Sequence, residues 1–253
     1  MKKTEKLSRD RENKRKRQDL AGKRILITSG PTRGYLDAVR YISNTSTGKL
    51  GASIAVEALS RGAFVTFVYG TGSMAPDIPR LGKGISRKLT LIEVEIIDDL
   101  LTVILDRLRA SSFDAVIHAM AVLDYMPGRL SKGKIPSNKD KLTLTLTKTP
   151  KIIGIMREVW PETFFVSFKL EAGLSVDELI KRAYTSLKKN DVNLVVANDQ
   201  NEIAGGKHRA YLIDSQKNVV SVCETKRDIA HNLMDVVSGH LRNLANKRQI
   251  KST

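Results

Sequence analysis

Apolar residues along this chain fall into two alternating rhythms. Compact apolar runs at 24–29 (RILITS), 63–69, 90–96, 114–119, 163–168 and 193–198 read as buried strands. Between them lie stretches with helical spacing. In 48–61, Leu50, Ile54 and Ala58 share one face and Arg61-Gly62 marks the stop; Asp98-Asp99 open a helix through LLTVILDRL; further helices are expected from Pro150 and over 175–189. Alternation of this kind predicts an α/β fold with a doubly wound, mostly parallel, Rossmann-like sheet. The run LTLTLTK at 142–148 has period two and is expected as a half-exposed strand, while 71–88 is expected to be helix-free. Residues 209–213 and 218–222 read as a C-terminal β-hairpin around Ser215-Gln216-Lys217, followed by a helix expected to fray from Asn246.

The first strand empties into a long Gly/Ser/Thr/Asn loop before the helix that opens at Gly48-Lys49-Leu50-Gly51. Open sheets of this class bind ligands at the carboxyl ends of their strands. A dinucleotide fingerprint is missing: Gly30 and Gly34 are spaced wrongly, and the second strand ends in Tyr69-Gly70, not in an acid. A P-loop is excluded, because Leu50 replaces the Ser/Thr that would hold Mg²⁺ and Ser43 stands where its first Gly belongs. Ser43, Asn44, Thr45, Ser46 and Thr47 precede a helix N-terminus, with Arg33, Arg40 and Lys49 nearby. One Ser or Thr suffices for a cap, so five polar residues favour a bound phosphate or carboxylate.

The formal net charge of +16 invites a nucleic-acid reading. Residues 1–24, however, hold 11 Lys/Arg against 4 Asp/Glu, so much of the excess sits in one polar segment with almost no apolar face. Residues 1–22 are accordingly expected to be a disordered basic leader, 23–245 a single α/β domain and 246–253 a basic tail. RNA contact by the leader is disfavoured, since the rest of the chain shows no nucleic-acid motif and only 5% aromatics. No run is long and apolar enough for a membrane span. The lone Cys223 fits a reducing cytoplasm and is expected as a buried thiol. The four histidines lack metal-ligand spacing. The polar stretch 125–141 carries Arg129, Lys132, Lys134, Lys139 and Lys141 and is expected to form a mobile basic lid.

The segments ITSGPTRGYLDAVRYISNTSTGKLG, HAMAVLDY, GKIPSNKDKLTL, KTPKII, VSFKLEAG and LVVAND, in this order, resemble the phosphopantothenoylcysteine synthetase (phosphopantothenate:cysteine ligase) family, in its stand-alone bacterial form, over about residues 23–240. The resemblance implies a cytoplasmic homodimeric ligase that joins 4′-phosphopantothenate to L-cysteine through an acyl nucleotide, with Mg²⁺ and a nucleoside triphosphate, CTP in preference to ATP. It implies that Asn44 handles the intermediate, that Ser46, Thr47, Gly48 and Lys49 lie near the substrate phosphate, and that Lys134 reaches the triphosphate. It places the nucleotide against Ala119, Met120, Ala121, Asp124, Pro150, Lys151, Ile152, Ile153 and Phe168, with Lys188 and Lys189 beside it. Pro136-Ser137 stand where further lid lysines are usual, which leaves the triphosphate contact either to Lys134 alone or to Lys134 with Lys139. The VSFKLE segment is similar to that of ATP-using eukaryotic forms. The competing reading is a non-catalytic nucleotide- or RNA-associated relative of the same fold.

Overall fold

The computed structural model describes residues 18–78, 84–128, 133–138 and 140–251, with no side-chain description for 247–251. The basic run before Gln18, together with Arg129, Lys132 and Lys139, lies outside the described residues.

Six parallel strands form the centre: β1 (Arg24–Ser29), β4 (Phe64–Gly70), β5 (Leu89–Val94), β6 (Ala115–His118), β9 (Phe164–Glu171) and β10 (Leu194–Asp199). The antiparallel hairpin β11 (Ala210–Asp214) and β12 (Val219–Cys223) extends one edge, giving the order β12-β11-β10-β9-β6-β1-β4-β5. On one face lie α1 (Lys49–Ser60) and α5 (Lys226–Lys251); on the other lie α2 (Ile97–Thr102), α3 (Ile152–Val159) and α4 (Val176–Lys189). Strand β1 shows why its sequence is continuously apolar. Ile25 and Ile27 enter the α1/α5 core while Leu26 enters the opposite one, and all three are fully buried. Burial on both faces removes the polar alternation of an exposed sheet, and each such side chain contributes about 1.5–3 kcal/mol. From β1 the chain winds outward to β4 and β5, then returns to β6 and proceeds the other way, so the switch point falls between β1 and β6.

Several expectations need correction. The loop after β1 contains a small hairpin, β2 (Arg33–Tyr35) with β3 (Tyr41–Ser43). Of LTLTLTK only β8 (Leu146–Lys148) is a strand, because its partner β7 (Tyr125–Pro127) offers only three residues to pair with, and all three β8 residues are exposed rather than half-buried. The stretch 71–88 ends in a 3₁₀ turn, Ile85–Lys88. Helix α5 continues to Lys251, past Asn246. The end of the basic leader is docked: Leu20 is fully buried, and Asp19 pairs with Arg61 at the end of α1. Cys223 is a buried thiol in β12, as expected.

Candidate active site

The loops leaving β1 and β6 are laced together across the switch point. The Ala121 N–H donates to Gly30 O at 2.8 Å, the Leu123 N–H to Thr32 Oγ1 at 3.1 Å, and the Ser43 hydroxyl to Thr32 O at 2.9 Å. Asn44 joins the lacing: its Nδ2 donates to Ala121 O at 2.9 Å and Val122 O at 3.3 Å. The amide expected to face a reacting carbonyl is thus engaged with main chain. The carbonyl of Ala121, a residue expected against the nucleotide, is likewise taken.

Helix α1 begins without the side-chain cap that a Ser/Thr cluster could supply. Its N-cap is Gly48, in the left-handed region at φ 73°, and no side chain caps its amides. Glycine is required here, since that backbone is strained for other residues and a Cβ would stand 3.0 Å from the Ser73 Cβ. Ser29 donates to the Gly48 carbonyl at 3.1 Å. Thr47 and Lys49 are exposed and Ser46 is half-buried beside this uncapped start.

Over the carboxyl ends of β6 and β9, on the α3/α4 face, opens a cleft of about 770 Å³, within the ordinary range for small-molecule sites. Met120, Asp124, Pro150, Lys151, Ile152, Ile153, Phe168 and Lys189 line it. Ala119, Ala121 and the 44–49 loop are not among its lining residues. Lys188 is not either: its ammonium stands 5.5 Å from the Tyr184 ring centroid. At the mouth, Lys151 Nζ contacts Asp124 Oδ1 at 2.5 Å, and both side chains are more than half exposed. An exposed pair of this kind is worth under about 1 kcal/mol, so an incoming anion or cation can open it.

Most of the remaining lining carries no signal of its own in the sequence. Glu178, Lys181, Arg182, Thr185 and Ser186 run along one edge of α4, where spacings of three and four residues align them. Arg182 and Lys169 share Glu171, at 3.2 and 3.0 Å, whereas Lys181 and Lys189 have no carboxylate partner among the described residues. At the floor, Thr28 Oγ1 lies 2.6 Å from His118 Nδ1, and burial pushes the His118 pKa down to about 4, so the ring is neutral. The Ser167 hydroxyl beside it is buried with no partner. A hydroxyl left in that state is costly unless a ligand completes it.

Lys134 is exposed and does not line the cleft. Its neighbours are held elsewhere. The buried Asp37 carboxylate accepts the Ile135 N–H at 2.9 Å, and Arg40, itself on Asp37, donates to Ile135 O at 3.2 Å. These contacts, with the Ile135 N–H first among them, hold Asp37 below the usual carboxylate range. The only sequence signal was an Asx turn: Asp37 Oδ1 also takes the N–H groups of Val39 and Arg40.

Among the described residues no three His, Cys, Asp or Glu side chains are grouped to hold a metal ion, and no helix is long and apolar enough to cross a membrane. The family model of the DNA/pantothenate metabolism flavoprotein C-terminal domain matches residues 20–241. The coenzyme A biosynthesis bifunctional protein CoaBC of Thermococcus kodakarensis is 37% identical over 222 residues, 87% of this chain and 52% of the relative. This chain therefore spans about half the length of that relative. The crystal structure of the DNA/pantothenate metabolism flavoprotein from Streptococcus pneumoniae superposes with a TM-score of 0.76 at 31% identity, covering 87% of this chain and all of the other. That of a CoaBC C-terminal domain gives 0.68 at 27%, covering 89% and 99%.

Proposed function

The chain belongs to the family of DNA/pantothenate metabolism flavoprotein C-terminal domains, and on that premise we propose that it is a phosphopantothenate:cysteine ligase of coenzyme A biosynthesis. The observation that carries the reading is the cationic cleft beside the switch point: a nucleotide-sized space where, among the described residues, Lys181 and Lys189 have no carboxylate partner and the Ser167 hydroxyl at the floor has no hydrogen-bond partner.

In the proposed reaction the carboxylate of 4′-phosphopantothenate attacks the α-phosphorus of a nucleoside triphosphate, and pyrophosphate leaves. The amine of L-cysteine then attacks the acyl carbon, loses a proton, and the nucleoside monophosphate leaves. Both steps gather negative oxygens, so the chief tasks are positioning and charge stabilisation. The base rests on Phe168, Met120 and Ile152, with the Ser167 hydroxyl as a polar contact. Lys181, Lys189 and Lys151 meet the phosphates, and Lys134 joins them from the basic loop. The carboxylates available to Mg²⁺ in the cleft are Asp124, Glu171 and Glu178. A few carboxylates plus triphosphate oxygens suit this ion, which supplies charge neutralisation when bound. Asn44 fixes the main chain at 121–122. Its longer contact, to Val122, is the one that a carbonyl of the acyl nucleotide would replace.

CTP is the proposed nucleotide, because the stand-alone bacterial synthetases that the chain resembles use it. Unmatched polar groups facing a purine would cost about 1–3 kcal/mol each. We further propose a cytoplasmic homodimer formed through an arm made of the paired strands β2–β3 and β7–β8 and the segments joining them, where Val39, Tyr41, Tyr125, Leu142, Leu144 and Leu146 are each more than 40% exposed. Quenched reactions lacking cysteine test the chemistry: they should contain the acyl nucleotide and pyrophosphate. Their absence, with binding intact, would favour the non-catalytic alternative.

A further inference from the structure

The amino ends of the parallel strands, at the opposite edge of the sheet from the cleft, carry chemistry that the ligase reading does not use. Register sets Arg24, at the start of β1, beside Phe64, at the start of β4. Cations and rings alternate along this edge. The Arg24 guanidinium lies 5.8 Å from the Phe113 ring centroid, and the Lys88 ammonium lies 5.6 Å from that of Phe64. Lys88 is held in place by donating to Gly62 O at 3.2 Å. Phe113 is buried, whereas Phe64 is 46% exposed.

Two cavities open along the row and share Arg24. The smaller, of about 360 Å³, is lined by Phe64, Thr66, Arg87, Lys88 and Thr90; the larger, of about 520 Å³, by Lys23, Arg109, Phe113 and Trp160. Against the five cations of these linings stand two acids, Asp114 and Glu162, both in the larger cavity. Asp114 is already engaged, by Lys23 at 3.1 Å and the Arg24 N–H at 2.8 Å. Arg24, Arg87 and Arg109 are exposed and have no carboxylate partner among the described residues. Both chain ends add positive charge here. Residues 1–17 hold nine Lys/Arg against three Asp/Glu, and the chain they lead into meets this edge where Lys23 O accepts the Phe64 N–H at 2.7 Å. Leu241, Leu244 and Ala245 of α5 line the larger cavity, and the sequence beyond them holds three Lys/Arg and no acid.

Like charges gathered in this way repel one another, and a ring left open to water forgoes the gain of burial. A strand of phosphates with unpaired bases relieves both, because the cations follow its backbone while a base stacks on the ring. An anionic membrane surface fits less well: only Met1 and Leu7 are apolar in residues 1–17, and Phe64 lines a cavity. We propose that this edge binds single-stranded nucleic acid, with a base stacked on Phe64 in the smaller cavity and the neighbouring phosphates on Arg24, Arg87 and Lys88. No motif marks it in the sequence, since its residues come from separate segments that only the parallel sheet brings together.

Fluorescence anisotropy of the 253-residue chain with labelled oligouridylate and oligodeoxythymidylate of about twelve nucleotides tests this. Both should bind, with log K falling linearly against log salt. Phe64→Ala should weaken binding roughly five- to a hundredfold and leave that slope unchanged, while Phe64→Trp should retain affinity. Arg87→Gln should weaken binding to both strands and make the slope shallower by about 0.7. Heparin, a polyanion without bases, should respond to Arg87→Gln but not to Phe64→Ala. Should Phe64→Ala lower the melting temperature, Arg87→Gln, at an exposed side chain, still decides through the slope. A duplex or an anionic phospholipid vesicle bound as tightly as the single strands, with Phe64→Ala without effect, would reduce the edge to a general polyanion surface and overturn the proposal. So would binding that both substitutions leave intact and that deletion of residues 1–17 abolishes. The outcome is independent of the ligase reading, and neither substitution should alter condensation at the far end of the strands.

Discussion

The docking of 18–22 makes two truncations separable. Before Gln18 only Met1 and Leu7 are apolar, so deleting residues 1–17 should cost little. Deleting 1–22 removes two specific supports. Leu20 is fully buried in the α1/α5 core, worth about 1.5–3 kcal/mol. Asp19 is the closest partner of a guanidinium that is only 5% exposed: it takes Arg61 Nε at 2.8 Å and Nη2 at 2.5 Å. Losing it does not strip Arg61 bare, because Asp235 remains at 2.8 Å and Glu57 at 3.7 Å. The expected loss is that of one charged pair of hydrogen bonds, about 1.5–3 kcal/mol, below the 3–5 kcal/mol of a fully abandoned buried charge. Together the longer deletion should lower stability by roughly 3–6 kcal/mol, or roughly 6–24 °C in melting temperature for a domain of this size. Circular-dichroism melts of both truncations measure this. Equal melting temperatures would refute the reasoning, and a large loss in the shorter truncation would show support from residues before Gln18.

Other expectations follow from the site. Asn44→Ala should slow the second half-reaction more than the first, so that acyl nucleotide accumulates in quenched samples; loss of pyrophosphate release instead would confine Asn44 to holding the 121–122 main chain. Lys134→Ala should lower kcat/KM for the nucleotide roughly ten- to a hundredfold, and an unchanged value would give its contact to Lys181, Lys189 or Lys139. Acidification should destabilise the protein between about pH 6.5 and 4, because the unfolded chain takes up protons at His118 and His208 that the folded one refuses until about 4. The depressed pKa of His118 alone removes at most about 3 kcal/mol by the bottom of that window. His118→Gln should flatten denaturation midpoints against pH, and an unaltered slope would take His118 out of the account.

The parallel sheet was legible because burial on both faces makes β1, β6 and β10 continuous apolar runs, and the helices between them carry their own stops. The arm was not. Strands β2, β3, β7 and β8 have three residues each and pair across turns or long separations, which leaves no periodic trace. Leu20 was hidden as a single apolar residue in a charged run. In the cleft, HAMAVLDY and KTPKII pointed to the residues at the strand ends, but the α4 stripe from Glu178 to Lys189 looks, in sequence, like an ordinary solvated helix face. Only the sheet beside it turns that face into a wall. Arg24 and Phe64 were silent for the same reason: their meaning lies in the side-by-side starts of β1 and β4, which local patterns do not encode.

The most direct test of the ligase assignment is product analysis of the 253-residue chain with 4′-phosphopantothenate, L-cysteine, Mg²⁺ and either CTP or ATP, followed by phosphorus NMR and mass spectrometry. Phosphopantothenoylcysteine, pyrophosphate and CMP should form in equal amounts, with CTP used more efficiently than ATP. Better use of ATP would overturn the nucleotide assignment alone. A nucleoside diphosphate with orthophosphate would contradict the acyl nucleotide route, and no condensed product with either nucleotide would contradict the ligase itself.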